Sequence, residues 1–221
     1  MQGQADGKTR SAAGRDDAEP RRPEPGESPR RQDGAPRAPT ALDLAQAELT
    51  PANAALFAKC EERIGFVPNV LRAYAHDNAK LEAFTLLYND LMLGPSGLSK
   101  LEREMIAVAV SAENRCHYCI TAHGAAVRVL SGDPVLGETI AANWRAADLS
   151  PRHRAMLAFA ATMSAQSHAV GEPDRQAVRE AGFADRDIWD IAAVAGFFAM
   201  SNRMASALGM RPNPEYHGQG R

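Results

Sequence analysis

The run from Glu104 to His123 reads E-M-I-A-V-A-V-S-A-E-N-R-C-H-Y-C-I-T-A-H. It holds Cys116 and Cys119 in a C-x-x-C, with His123 four residues after the second cysteine and Glu104 twelve before the first. A thiol reacts as its thiolate and needs a base or a positive field beside it. Residues four apart on a helix share a face, so Cys119 and His123 are expected side by side. Cys116, one turn earlier, is close enough to trap an oxidised sulfur as a disulfide. These are the minimum parts for reversible thiol redox chemistry. The i, i+4 relation marks Cys119 as the attacking thiolate and Cys116 as the resolving thiol. Cys116 falls near a helix N-terminus, where the dipole lowers a thiol pKa, and that cue favours the opposite order.

Metal binding is the competing use of such residues. A structural zinc site takes four ligands, commonly Cys₄ or Cys₂His₂. The local donors are Cys116, Cys119, His117, His123 and Glu104, with no second C-x-x-C. His117 follows Cys116 directly and belongs to another helix face. No metal and no bound cofactor are expected. Among nearby acids, Glu102 suits a helix cap and Glu113 a solvated turn. Glu104 opens an otherwise apolar helix, where a carboxylate is costly unless paired. Spacing alone leaves it open between an exposed first-turn acid and a catalytic one. Cys60 reads as a core thiol, and Asn202 and Arg203 as residues of a site or an interface.

The elements that must carry these residues read as helices throughout. Thr50-Pro51 and Ser150-Pro151 pair a capping residue with proline at the first helical position. Ser99 with Glu102 has capping-box spacing. Helices are expected over about 51–63, 68–74, 77–92, 99–112, 116–131, 135–143, 151–166, 173–181 and 185–208, with the helical pattern starting at residue 41. Leu81, Phe84, Leu87, Tyr88 and Leu91 recur at helical spacing, and period-2 alternation is nowhere sustained. The fold class is therefore all-α. The similar helix starts at Ser99 and Ser150 hint at a duplicated unit.

Composition sets the limits. The chain has 221 residues, 45% apolar and 6% aromatic, which suits packed helices with a sizeable core. A net charge of -2 gives no electrostatic case for nucleic acid or an anionic membrane. Three cysteines are a poor disulfide framework. No apolar run is long enough for a membrane span, and no secretory leader is visible, so the expected location is cytoplasmic. Residues 1–40 hold six of the fourteen prolines and no Leu, Ile, Val, Phe, Tyr or Trp. Such a segment cannot offset its ordering entropy and is expected as a disordered tail. The helical domain is expected over 41–213, and a flexible C-terminus over 214–221.

The pattern E-x₁₁-C-x-x-C-x₃-H resembles the core motif of the AhpD-like family, the alkylhydroperoxidase D and carboxymuconolactone decarboxylase superfamily. The surrounding text from Arg103 to Gly124 is similar to its peroxidase-related branch. The motif region covers about 97–147, and the helical context extends the likeness over roughly 45–213. The resemblance implies an AhpD-like helical bundle assembled as a trimer or hexamer. It implies that Glu104 acts through a water on His123, that His123 helps ionise Cys119, and that Cys116 completes the disulfide. It implies a thiol-dependent peroxidase that reduces hydroperoxides and is recharged by an external dithiol of lipoyl or thioredoxin-like type. The better-known branch has a histidine directly before the second cysteine. Here Tyr118 stands there and His117 one place earlier, so either is a possible auxiliary residue. The decarboxylase branch does not use this cysteine pair as its centre, which disfavours decarboxylation. A plain thiol-disulfide oxidoreductase, or a redox-sensing module without peroxide turnover, would use the same pair.

Overall fold

The structure, a computed structural model, describes residues 38–221. The expected disordered tail lies, up to residue 37, outside the described residues. The described residues hold nine α-helices in chain order: α1 Pro51–Ile64, α2 Asn69–Tyr74, α3 Asn78–Leu93, α4 Lys100–Glu113, α5 His117–Ser131, α6 Leu136–Asn143, α7 Pro151–Gln166, α8 Glu172–Glu180 and α9 Asp185–Ala207. No strand occurs among the described residues, so the all-α expectation holds.

Local chemistry sets the helix starts. The hydroxyls of Thr50 and Ser150 accept from Asn53 N and His153 N. At α4 both halves of the capping box are made: Ser99 Oγ accepts from Glu102 N at 3.1 Å, and Glu102 Oε2 accepts from Ser99 N at 2.7 Å. Glu102 also takes a hydrogen bond from Arg152 Nε at 2.8 Å. It is thereby committed to structure. The two helices opened by Ser99 and Ser150 share a further device. Four residues after each cap an arginine, Arg103 or Arg154, donates to carbonyls of the preceding loop.

Helix α4 runs through the centre. Met105, Ile106, Ala107, Val108, Ala109 and Val110 have no exposed surface. A helix apolar on all sides belongs inside, and α5, α6, α7 and α9 enclose this one. Burying each of its larger side chains contributes about 1.5–3 kcal/mol, so a charge in this run would break the core.

Two expectations change. Residues 41–49 are not helical. They form a strap whose backbone bonds elsewhere, with Ala41 N donating to Leu208 O and Ala47 N to Ala75 O. Residues 214–221, expected as a flexible C-terminus, include a 3₁₀ turn over Pro214–His217 that is tied to α5. Buried Arg128 donates to Tyr216 O at 2.8 Å and Gln219 O at 2.9 Å. A buried guanidinium needs acceptors, and these carbonyls supply them.

Candidate active site

The two cysteines owe their place to the end of α4. Arg115 N donates to Ala112 O and Cys116 N to Ser111 O, with Arg115 in the left-handed region at φ 52°. This is the Schellman pattern of helix termination. It delivers Cys116 to the N-cap of α5 rather than into the helix. There the Cys119 thiol and backbone N–H sit beside its sulfur and stabilise negative charge on it. Both cysteines are unbonded thiols, 1% and 3% exposed.

Helix α5 then carries Cys119 and His123 on the face turned to α4. His123 Nδ1 lies 2.6 Å from Glu104 Oε2, with both side chains 12% exposed. The resemblance implied a water between Glu104 and His123, whereas the contact is direct. A carboxylate accepting the Nδ1 proton fixes the tautomer with its basic lone pair on Nε2. Phe198 packs edge-on against the imidazole, with ring centroids 4.5 Å apart, and limits its rotation.

Cys119, His123, Glu104 and Tyr118 all line one cavity of about 440 Å³. Its walls are largely apolar and aromatic, with Tyr74, Phe84, Tyr88 and Phe197 prominent. Cys116 is not on that wall. His117, the first residue of α5, is exposed and also outside the cavity. Tyr118 Oη accepts from Val70 N at 3.0 Å, which caps α2. Asn213 Oδ1 takes the neighbouring Asn69 N at 2.7 Å. Tyr118 thus holds a cavity wall in place.

Hydrogen bonding and access single out different sulfurs. The Cys116 thiol is lowered to about 6, chiefly because Cys119 donates to it, with help from the Cys119 N–H, Asn202 and Ser206. Cys119 is pushed up, because it donates its proton to Cys116 and is buried beside that sulfur's charge. We read the pair as one S–H···S⁻ unit with its charge resting on Cys116. The sulfur that faces the cavity is nonetheless Cys119.

Sequence reasoning left Asn202 unassigned and did not find Ser111 or Ser206. Asn202 is 1% exposed on α9, and its side chain acts to lower both cysteine thiols. Asn114 Nδ2 donates to Asn202 Oδ1 at 3.1 Å, and Asn202 Nδ2 donates to Ser111 Oγ at 2.9 Å. A signal was present. Asn202 is four residues beyond Phe198 on the buried face of α9, where an amide needs partners. Cys60, expected in the core, is only partly buried and lines the same cavity.

Among the described residues, no group of three or more His, Cys, Asp or Glu side chains is placed to hold a metal ion. None of their helices is long and apolar enough to cross a membrane.

The comparisons agree with this architecture. The model of the carboxymuconolactone decarboxylase family matches residues 79–134. An uncharacterized peroxidase-related protein from Silicibacter sp. TM1040 is 60% identical, with a TM-score of 0.82 over 84% of this chain and 98% of its own. An uncharacterized peroxidase-related protein from Ralstonia eutropha JMP134, described as an alkylhydroperoxidase AhpD core, is 44% identical, with a TM-score of 0.81 over 84% and 98%. The chain belongs to the AhpD-like, carboxymuconolactone decarboxylase superfamily, in its peroxidase-related branch. The apo debrominase Bmp8, 18% identical with a TM-score of 0.65 over 76% of this chain and 89% of its own, shares the fold. Comparison with curated proteins finds no match.

Proposed function

We propose that this protein is a cofactor-free thiol peroxidase that reduces organic hydroperoxides through Cys119 and Cys116. The observation that carries the reading is the free cysteine pair with one member on an apolar cavity wall that also presents His123 and Glu104. In the resting pair Cys116 is the thiolate and Cys119 the thiol. Transfer of the proton along the S–H···S⁻ bond gives Cys119 thiolate and Cys116 thiol. Cys119 attacks the terminal oxygen of R–O–OH, the O–O bond breaks, and Cys119–SOH and RO⁻ form. A proton from solvent converts RO⁻ to ROH, with His123 Nε2 as the relay. Cys116–SH condenses with Cys119–SOH, giving the disulfide and water. An external dithiol, of lipoyl or thioredoxin-like type, reduces the disulfide by exchange and is itself oxidised.

Catalytic loss of cumene hydroperoxide in the presence of dihydrolipoamide tests this reading. Turnover that depends on both peroxide and dithiol supports it, and no consumption above the dithiol blank rejects it. A second reading, a thiol-disulfide oxidoreductase, draws on the low-pKa Cys116 at a helix N-terminus. It expects reduction of disulfide substrates with no response to peroxide.

A further inference from the structure

The cavity is polar at two separated places. Deep in it are Cys119, His123 and Glu104. On α1, Lys59 and Arg63 also line it, and both side chains are exposed, so they stand where the cavity meets solvent. They are four residues apart and therefore share a helix face. Among the described residues neither forms an ion pair. Arg63 lies in the last turn of α1, where a cation also answers the helix dipole. Lys59, a turn earlier, has no such role, and its charge reaches the cavity wall at Cys60, opposing the upward push of burial on that thiol.

The deep end would repel an anion. Among the described residues Glu104 is the only acid lining the cavity, and the Cys116 thiol behind Cys119 is lowered toward its thiolate. A ligand with an anionic head would therefore settle with that head at the rim and its apolar body along the aromatic wall. The deep end also has an unused polar group. Ser201 lines the cavity, is 8% exposed, and its Oγ has no hydrogen-bond partner. A buried hydroxyl without a partner costs about 1–3 kcal/mol, which a ligand oxygen would relieve.

We propose that the preferred substrates are amphipathic hydroperoxides bearing a carboxylate, with the carboxylate between Lys59 and Arg63, the apolar body against Tyr74, Phe84 and Tyr88, and the peroxide oxygens at Ser201 and Cys119. This rests on the peroxidase reading above, and its chemical step is the one written there.

The test has a binding arm and a turnover arm. Decanoate and methyl decanoate are titrated into the reduced full-length protein by calorimetry. A ten-carbon hydroperoxy acid and its methyl ester are compared as substrates with excess dithiol. The acid is expected to have the lower Kd and the lower KM, by roughly fivefold or more, for a carboxylate held by two partly screened cations. Raising salt should shrink that ratio. In Lys59→Gln/Arg63→Gln the ratio is expected near one, and in Lys59→Glu/Arg63→Glu it should invert. Equal values for acid and ester in the native protein, or a preference that survives both variants, would overturn the proposal. Preferential decanoate binding that the variants abolish, with no hydroperoxide consumed, would keep the anionic subsite and reject the peroxidase reading.

Discussion

His123 Nδ1 and Glu104 Oε2 are 2.6 Å apart, joining α5 to the buried helix α4. Two partly buried groups from different helices meet only if α4 and α5 pack in one register. The carboxylate orients the ring and stabilises any positive charge that develops on it. In Glu104→Gln the amide oxygen can still accept the Nδ1 proton, but without charge. We expect an unchanged far-ultraviolet circular dichroism spectrum and kcat/KM for hydroperoxide lower by about 10–100-fold. An unaltered rate of thiol oxidation would remove Glu104 from the mechanism.

The cysteines should fail in different ways. Cys119→Ser is expected to abolish turnover, since no sulfur of the C-x-x-C pair then faces the cavity. Cys116→Ser should block the disulfide and leave a sulfenic acid on Cys119 that dimedone traps. Normal turnover by Cys119→Ser, or dimedone labelling of Cys116 in place of Cys119, would reverse the assignment.

The Cys116 thiol lowered to about 6 has a spectroscopic and a thermodynamic consequence. Thiolate absorbance of the reduced protein should rise with a midpoint near that value and vanish in Cys116→Ser. Between that pH and the unfolded thiol value of about 8.5 the native state binds fewer protons than the unfolded chain. Stability therefore rises with pH across this window, and Cys116's contribution is lost as pH falls through the folded value. Above about 8.5 the raised Cys119 acts in the opposite direction. Denaturant midpoints measured between pH 5 and 10 check the sign (a range spanning both thiol values). Loss of stability on going from pH 6 to pH 8 would contradict it.

Asn202 offers a test by a near-isosteric change. Asn202→Asp puts a charged acceptor where an N–H now meets Ser111, on a side chain that helps lower the Cys116 thiol. The thiolate midpoint should move up by about one unit or more, and turnover near neutrality should fall. Asn202→Ala should cost about 1–3 kcal/mol, because the Asn114 and Ser111 groups lose a partner. A thiolate midpoint unmoved by Asn202→Asp would confine this residue to packing.

What was legible in the sequence was mostly local. The caps at Thr50, Ser99 and Ser150 act within four residues, so their signals sit in adjacent letters. The all-helical body followed from the same short-range periodicity. Placing Cys116 inside a helix missed by one position, because the Schellman turn depends on the left-handed backbone of Arg115, a residue type that does not announce it. Residues 41–49 looked helical because their strap is held by backbone bonds to Leu208 and Ala75, distant in sequence. The contacts of Tyr118 with Val70 and of Asn202 with Ser111 and Asn114 likewise join remote segments. Cys60 was read as core because an early apolar helix normally packs on every apolar side. Here part of that side faces the cavity instead.

The most direct test of the central claim is a single turnover without external dithiol. Reduced protein is mixed with one equivalent of cumene hydroperoxide, quenched in acid, and its intact mass and Cys116–Cys119 peptide are measured alongside the organic product. The account expects one equivalent of cumyl alcohol, the loss of two hydrogens from the protein, and a Cys116–Cys119 disulfide. Intact hydroperoxide with both thiols still free, or oxidation confined to Cys60, would contradict it.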